Sequence, residues 1–313
     1  MSKNRKIDFV GKRKLAAILS ITVILIGVLF IVIQKGLNYN IEFNGGYLMH
    51  AGFNKTIDIA ELRNTIQKND IKGFQLQEFS DNTANADYKT EVVIKVETNE
   101  QNVKEIESKI IAALDEKYGR DTYEIRQASS IGPKIGEELK NSAVQAIFWS
   151  LLFILIYITI KFQFRYGIAA IVALFHDVAI TIGVLSILGY FFDYEISLSV
   201  IAALLTIVGY SLNDTIVVFS RIRENIKTLE GMDFEKLVNV SINETLSRTL
   251  LTSLTTLFVV FVLFLFGGEV IRGLSITLLI GVIVGTYSSI FVASPVVIAW
   301  NNMTKKKKKL KKA

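Results

Sequence analysis

The stretch SLSVIAALLTIVGYSLNDTIVVF, Ser197–Phe219, decides how this chain is read. A hydrocarbon core of roughly 30 Å takes about 20 helical residues to cross, and this run is long enough. Yet it holds a carboxylate, Asp214, beside Tyr210, Ser211 and Asn213. Spacings of four and three put Tyr210, Ser211 and Asp214 on one helical face. An ionisable group inside a span costs about 2.5–3.5 kcal/mol on insertion scales, so its presence asks for a reason. A carboxylate in hydrocarbon keeps its proton more readily than one in water, and so can load and release it near physiological pH, as a carrier site requires. The plainer alternative is that Asp214 lies near the end of the span and reaches toward Arg221, about two turns on.

Five other apolar runs flank this one, at about 15–33, 142–160, 168–190, 250–267 and 273–300. The composition agrees: 51% of the 313 residues are hydrophobic and mean hydropathy is +0.41. The first run follows Lys3, Arg5, Lys6, Lys12, Arg13 and Lys14 and ends in Val32-Ile33-Gln34-Lys35. It lacks the short apolar core and small-residue cleavage site of a signal peptide and reads as a retained span. Gly281, Gly285 and Pro295 give the long last run places to kink or tilt. Lysines and arginines gather in the N-terminus, the 161–167 and 221–249 links and the Lys305–Lys312 tail, which therefore face the cytoplasm. The 191–196 link carries Asp193 and Glu195 but no base, and belongs outside with the 268–272 link. Net charge is +6, but the bases sit beside apolar runs, so they fit a membrane surface and not nucleic acid. With no cysteine there are no disulfides or thiolate metal sites. No P-loop, nucleophile elbow or HExxH motif points to an enzyme.

The expected architecture is a membrane α-helical protein with six transmembrane helices and an α+β, ferredoxin-like extracytoplasmic domain between the first and second spans. The parts are a basic N-terminus at 1–14, a first span at 15–33, the outer domain at 34–140, a five-helix membrane domain at 141–300 and a lysine-rich tail at 301–313. Within the outer domain, strands are expected at Asn38–Phe43, Tyr47–Phe53, Phe74–Phe79, Glu91–Thr98 and Tyr123–Gln127. One helix is expected from Asp58 to Lys68, with Asp58 and Glu61 spaced as a capping box. A second runs from an Asn99 cap to Tyr118, and Ser80–Lys89 is a polar loop. This is β-α-β-β-α-β with an extra leading strand. Gly132-Pro133 marks a joint before the second span, either a rigid connector or a hinge.

Two further spans carry polar groups. His176-Asp177 sits near the middle of the third. A His–Asp pair invites a proton relay, but neighbours on a helix point about 100° apart, so the two do not form one site by themselves. The alternative is that each packs against a different helix. Metal binding is not expected, since the other histidine, His50, lies outside. In the fifth span Arg248, Thr252 and Thr255 share a stripe. Arg248 is placed either to pair with an ionised Asp214 or to anchor a hydroxyl-rich helix interface.

Several segments resemble the SecD/SecF family of protein-export membrane proteins, within the resistance-nodulation-division superfamily of proton-driven transporters. Asn40-Ile41-Glu42-Phe43-Asn44-Gly45-Gly46 is similar to the family's G-[IL]-D-F-[TS]-G-G turn, keeping the phenylalanine and both glycines. Ser130 to Leu139, with Gly132 and Pro133, resembles its V-G-P-x-x-G-x-E-L joint. Phe164-Arg165-Tyr166, Leu174-Phe175-His176-Asp177, Ile207–Phe219 and Asn243–Thr249 with Thr252-Ser253 continue the match in order. The single outer region sets the chain apart from SecD, whose region there is much larger. The resemblance implies one six-span half of a pair completed by SecD, working with the SecYEG channel, SecA and YajC on unfolded preprotein at the outer side of the bacterial inner membrane. It ties Asp214 and Arg248 to proton conduction; Asn213, Tyr210, Ser211, Asp177 and Thr252 are the further residues expected along the path, and no cofactor is expected. The coupling ion is H⁺, with Na⁺ left open.

Overall fold

The computed structural model describes residues 7–69, 71, 73–78, 88–98 and 102–310. Residues 80–87 of the expected polar loop Ser80–Lys89, the Asn99 cap and the ends of both basic termini lie outside the described residues.

Six helices are long and apolar enough to span a membrane. They are α1 (Arg13–Ile33), α5 (Pro133–Lys161), α6 (Phe164–Phe192), α7 (Leu198–Thr228), α8 (Phe234–Phe266) and a last span built from α9 (Gly268–Ser288), a π turn (Ser289–Ala293) and α10 (Ser294–Leu310). The four-residue α2 (Ile41–Asn44) and the helices α3 (Ile59–Lys68) and α4 (Val103–Tyr118) belong to the segment between α1 and α5. Helices α6 and α7 are the most enclosed of the spans, and α5 and α8 present mostly exposed apolar side chains such as Phe148, Trp149, Phe153, Phe258 and Phe266.

Small residues let the spans approach. A Cβ on Gly27 of α1 would lie 2.5 Å from the Gly183 backbone of α6, and one on Gly285 of α9 would lie 2.8 Å from Ser211 Cβ of α7. This is the close backbone packing of membrane helices. Gly281 and Gly285 are thus contact points, and not kinks. The irregularity of the last span falls instead at the π turn, where Ser294 Oγ donates to Ser289 O at 3.0 Å.

The outer segment forms a four-stranded antiparallel sheet of β1 (Gly46–Phe53), β2 (Phe74–Glu78), β3 (Thr90–Val96) and β4 (Tyr123–Ile131), in the order β2-β3-β1-β4. That order, with α3 and α4 on one face, is ferredoxin-like. Tyr47, Met49, Ala51, Phe53, Val92, Ile94 and Val96 alternate onto the helix face and meet Leu62, Ile66, Ile110 and Leu114. Tyr123 at the start of β4 donates to Asp115 Oδ1 at 2.7 Å. Burial and that carboxylate hold its phenol above the ordinary value, so it stays a donor at physiological pH.

Two expectations are corrected. The leading strand at Asn38–Phe43 is α2, because the Asn40 side chain accepts from Ile41 N at 2.6 Å and caps the turn. Asp58 does cap α3, accepting from Ala60 N at 2.8 Å, but Glu61 turns away to Lys117 on α4 at 2.6 Å, so the box is not closed. Gly45 and Gly46 end α2 and open β1 with φ of 78° and 156°, a region that favours glycine. Beside them a Cβ on Gly46 would meet Val96 O at 2.6 Å.

The outer domain is tied to the membrane helices. Asn40 N donates to Ile196 O (3.0 Å), and Ile196 N to Asn38 O (2.7 Å). Lys95 of β3 pairs with Glu195 at 2.7 Å, the two side chains being only 13% and 11% exposed. Glu42 accepts from Leu198 N at 2.6 Å, filling an open donor at the start of α7. Gly132 alone separates β4 from α5, with ordinary extended angles of −72° and 147°.

Candidate ion-coupling site in the membrane half

Asp214 is 2% exposed and lies on α7 facing α8. Ser253 Oγ of α8 donates to its Oδ2 at 3.4 Å. Ser253 Oγ also lies 2.6 Å from Thr286 Oγ1 of α9, whose one hydrogen goes either to Ser253 or to Val282 O at 2.7 Å. Arg221 does not reach back to Asp214; its guanidinium is held by Glu224 (2.6 Å) and Glu244 (2.7 Å). Among the described residues no ion pair joins Asp214 to a base. The Tyr210 hydroxyl and Thr249 Oγ1 are buried without a hydrogen-bond partner among the described residues. Tyr210 precedes Asp214 by one turn, and Thr249 precedes Ser253 by one turn.

The other expected residues are placed differently. Asn213 and Arg248 are exposed. Thr252 Oγ1 folds back onto Arg248 O at 2.9 Å, and Thr255 onto Leu251 O at 3.0 Å. The face that α8 buries is Thr245, Thr249 and Ser253, one residue round from the expected stripe.

Asp177 forms a second centre, 1% exposed. Ser211 Oγ of α7 donates to its Oδ2 at 2.5 Å, and Ser288 Oγ of α9 at 2.8 Å. His176 and Asp177 do form one site, contrary to expectation, because the ring turns so that Nδ1 lies 2.9 Å from Asp177 Oδ1. Its Nε2 lies 2.9 Å from Ser20 Oγ of α1. Ser20 lies 3.1 Å from the Tyr287 hydroxyl, which donates to Ala16 O at 2.7 Å. The two centres share α7, through Ser211 and Asp214, and α9, through the consecutive hydroxyls Thr286, Tyr287 and Ser288 just before the π turn. Such turns recur at functional sites. Sequence reasoning missed Ser20, Thr286, Tyr287 and Ser288, although a polar run inside an apolar span was the available signal.

Among the described residues no group of three or more His, Cys, Asp or Glu is placed to hold a metal ion. The chemistry open to these centres is to bind, share and move protons, or a small cation, between carboxylates and hydroxyls out of contact with bulk water.

Fold and site together define a multi-pass membrane protein with one outer α+β domain and ionisable groups enclosed between its spans. The family model described as protein export membrane protein SecD/SecF, C-terminal, matches residues 110–303. The chain is 42% identical to the protein translocase subunit SecF of Petrotoga mobilis over 98% of this chain and 99% of that protein. It is 41% identical to that of Rhodothermus marinus over 95% and 94%. A solved structure of SecDF, a translocon-associated membrane protein from Thermus thermophilus, matches with a TM-score of 0.80 at 36% identity, covering 96% of this chain and 40% of that one. A second, SecDF in a super-membrane-facing form, matches with 0.69, also at 36% identity, over 99% and 41%. The chain therefore belongs to the SecD/SecF family, and within it to the SecF subunits of the protein-export translocase. It spans about two fifths of the SecDF chains.

Proposed function

We propose that this subunit is one half of a SecD–SecF pair that uses the proton motive force to pull or release preprotein on the outer side of the cytoplasmic membrane, beside SecYEG and SecA, with YajC a further partner. Both termini face the cytoplasm and residues 34–140 handle preprotein or partners outside, as the distribution of Lys and Arg supports. Asp214 is the proton carrier, helped by Tyr210, Ser211 and Asp177. Arg248, Asn213 and Thr252 face the partner half or lipid and act on Asp214 when the helices shift. Na⁺ in place of H⁺ suits the same carboxylate and hydroxyls.

The observation that carries this reading is a carboxylate enclosed between spans, bonded to a hydroxyl and joined to no base by an ion pair among the described residues. Leaving such a group charged is costly, so its protonation state biases which helix arrangement is stable. Moving one charge through 100 mV releases about 2.3 kcal/mol, enough to shift a two-state equilibrium tens of fold. That the two solved SecDF chains fit this structure unequally at the same identity supports more than one arrangement.

The test is release of a preprotein from vesicles carrying this chain with SecD and SecYEG, with and without a proton gradient. Asp214→Asn is expected to lose the gradient-dependent part while assembly stays intact. An unchanged response would make Asp214 structural and the subunit a scaffold.

A further inference from the structure

We propose that His176 and Asp177 form a second proton-binding site, separate from Asp214, which in the conformation seen here holds one proton shared between Nδ1 of His176 and Oδ1 of Asp177. The argument is a count of hydrogens along the chain of contacts that begins at the carbonyl of Ala16.

A tyrosine hydroxyl has one hydrogen to give. Tyr287 gives it to Ala16 O at 2.7 Å, since a carbonyl only accepts. At the 3.1 Å contact with Ser20, the serine must then be the donor. With its one hydrogen committed there, Ser20 can only accept from His176, so Nε2 carries a hydrogen at the 2.9 Å contact. The remaining contact, Nδ1 to Oδ1 at 2.9 Å, also needs a hydrogen, carried by either the ring or the carboxyl. The pair thus holds two hydrogens, one more than a neutral imidazole beside a carboxylate.

Removing the shared proton breaks the arrangement in one of two ways. Either a bare Nδ1 faces a carboxylate oxygen, or Nε2 loses its hydrogen and Ser20 turns from Tyr287 to the ring, leaving the Ser20–Tyr287 contact without one. Charge points the same way. The groups bonded to the pair are Ser20 from α1, Ser211 from α7, and Ser288 from α9, and none of them is charged. Tyr287, which also stacks on the His176 ring, and Asp214, one turn beyond Ser211, supply no positive charge either. Loaded, the pair is neutral overall; unloaded, it leaves a net negative charge inside the membrane. Ser211 donates to Oδ2, and Ser288, whose one hydrogen Gly285 O at 3.1 Å also accepts, lies 2.8 Å from Oδ2, which leaves Oδ1 free to share the proton. The proposal deepens the ion-coupling reading by giving the path a second station, but the proton count stands without it.

The chain has two histidines, so ¹⁵N labelling of the imidazole rings in the full chain, in lipid bilayers at neutral pH, reads the site directly. His50→Gln leaves one ring. Should that change disturb the outer domain, subtracting the spectrum of His176→Gln from wild type isolates the same signals. The expected result is Nε2 protonated and Nδ1 either protonated or accepting a hydrogen bond, which its shift separates from a free ring nitrogen. Tyr287→Phe removes the anchor and frees Ser20 to donate to the ring, so the site is expected to give up the Nε2 hydrogen while the other stays between Nδ1 and Oδ1. A bare Nε2 or a free Nδ1 in wild type overturns the proposal. Asp214→Asn is expected to leave the shifts in place, so a shared proton with failed export coupling, or the reverse, tells the two readings apart.

Discussion

Asp214 owes its setting to a single hydroxyl, that of Ser253, itself held by Thr286. A long hydrogen bond of this kind contributes roughly 1 kcal/mol. Ser253→Ala is therefore expected to change gradient-dependent preprotein release several-fold. Thr255→Ala, whose hydroxyl is spent on its own helix, is expected to leave release within about twofold of wild type in the same vesicle assay. The residue that mattered was hard to see in the sequence. Stretches 248–256 offer hydroxyls on every face, and a one-residue error in the buried stripe exchanges Ser253 for Thr252. By contrast Asp214 and Asp177 were legible, because a charge inside an apolar run is rare enough to stand out. The His176–Asp177 contact was not, since it depends on a ring rotation and on Ser20, more than 150 residues earlier.

Among elements, the crossing of α7 and α9 does most to bring the polar groups together. A Cβ on Gly285 would press on Ser211 Cβ at 2.8 Å and Cα at 3.3 Å, and the backbone cannot yield as a side-chain tip would. Gly285→Ala is expected to cost about 1–3 kcal/mol through overpacking and to push Ser211 off Asp177. Thermal unfolding in detergent, with Gly209→Ala as a control in open space, checks this. The spans were readable from hydropathy, and the sheet from alternating apolar residues with glycine turns. What escaped was α2. Its residues have strand-like composition, but Asn40 caps them, and Ile196 in the link between α6 and α7 takes the backbone partners of Asn38 and Asn40 just before them. The Lys95–Glu195 pair escaped for a similar reason. Its members look like ordinary surface charges until the outer domain docks. Removing one member of a largely buried pair costs about 3–5 kcal/mol. Glu195→Ala is therefore expected to speed hydrogen exchange along the docked end of β3 and in the 193–197 link.

For the whole molecule, the question is how a change at Asp214 reaches the outer domain. Gly132 and Pro133 were the sequence's candidates for the moving part. The structure supplies a second connection, through α2 and β3. Glu42 meets the first turn of α7, the helix that carries both Ser211 and Asp214 farther along, and Lys95 clasps the link just before it. A shift of α7 along its axis would therefore pull directly on the sheet, with the β4–α5 joint as the pivot. If so, fixing the clasp stops the outer movement without touching the ion site. The chain has no cysteine, so Lys95→Cys with Glu195→Cys places the sole pair of thiols there. A short bis-thiol cross-linker is expected to abolish gradient-dependent release, and a cleavable form of the same linker to restore it on reduction. Each single cysteine variant should keep most of its release after the same treatment. Full activity in the cross-linked protein would mean that the outer domain works while docked, and that coupling leaves this half through its partner instead.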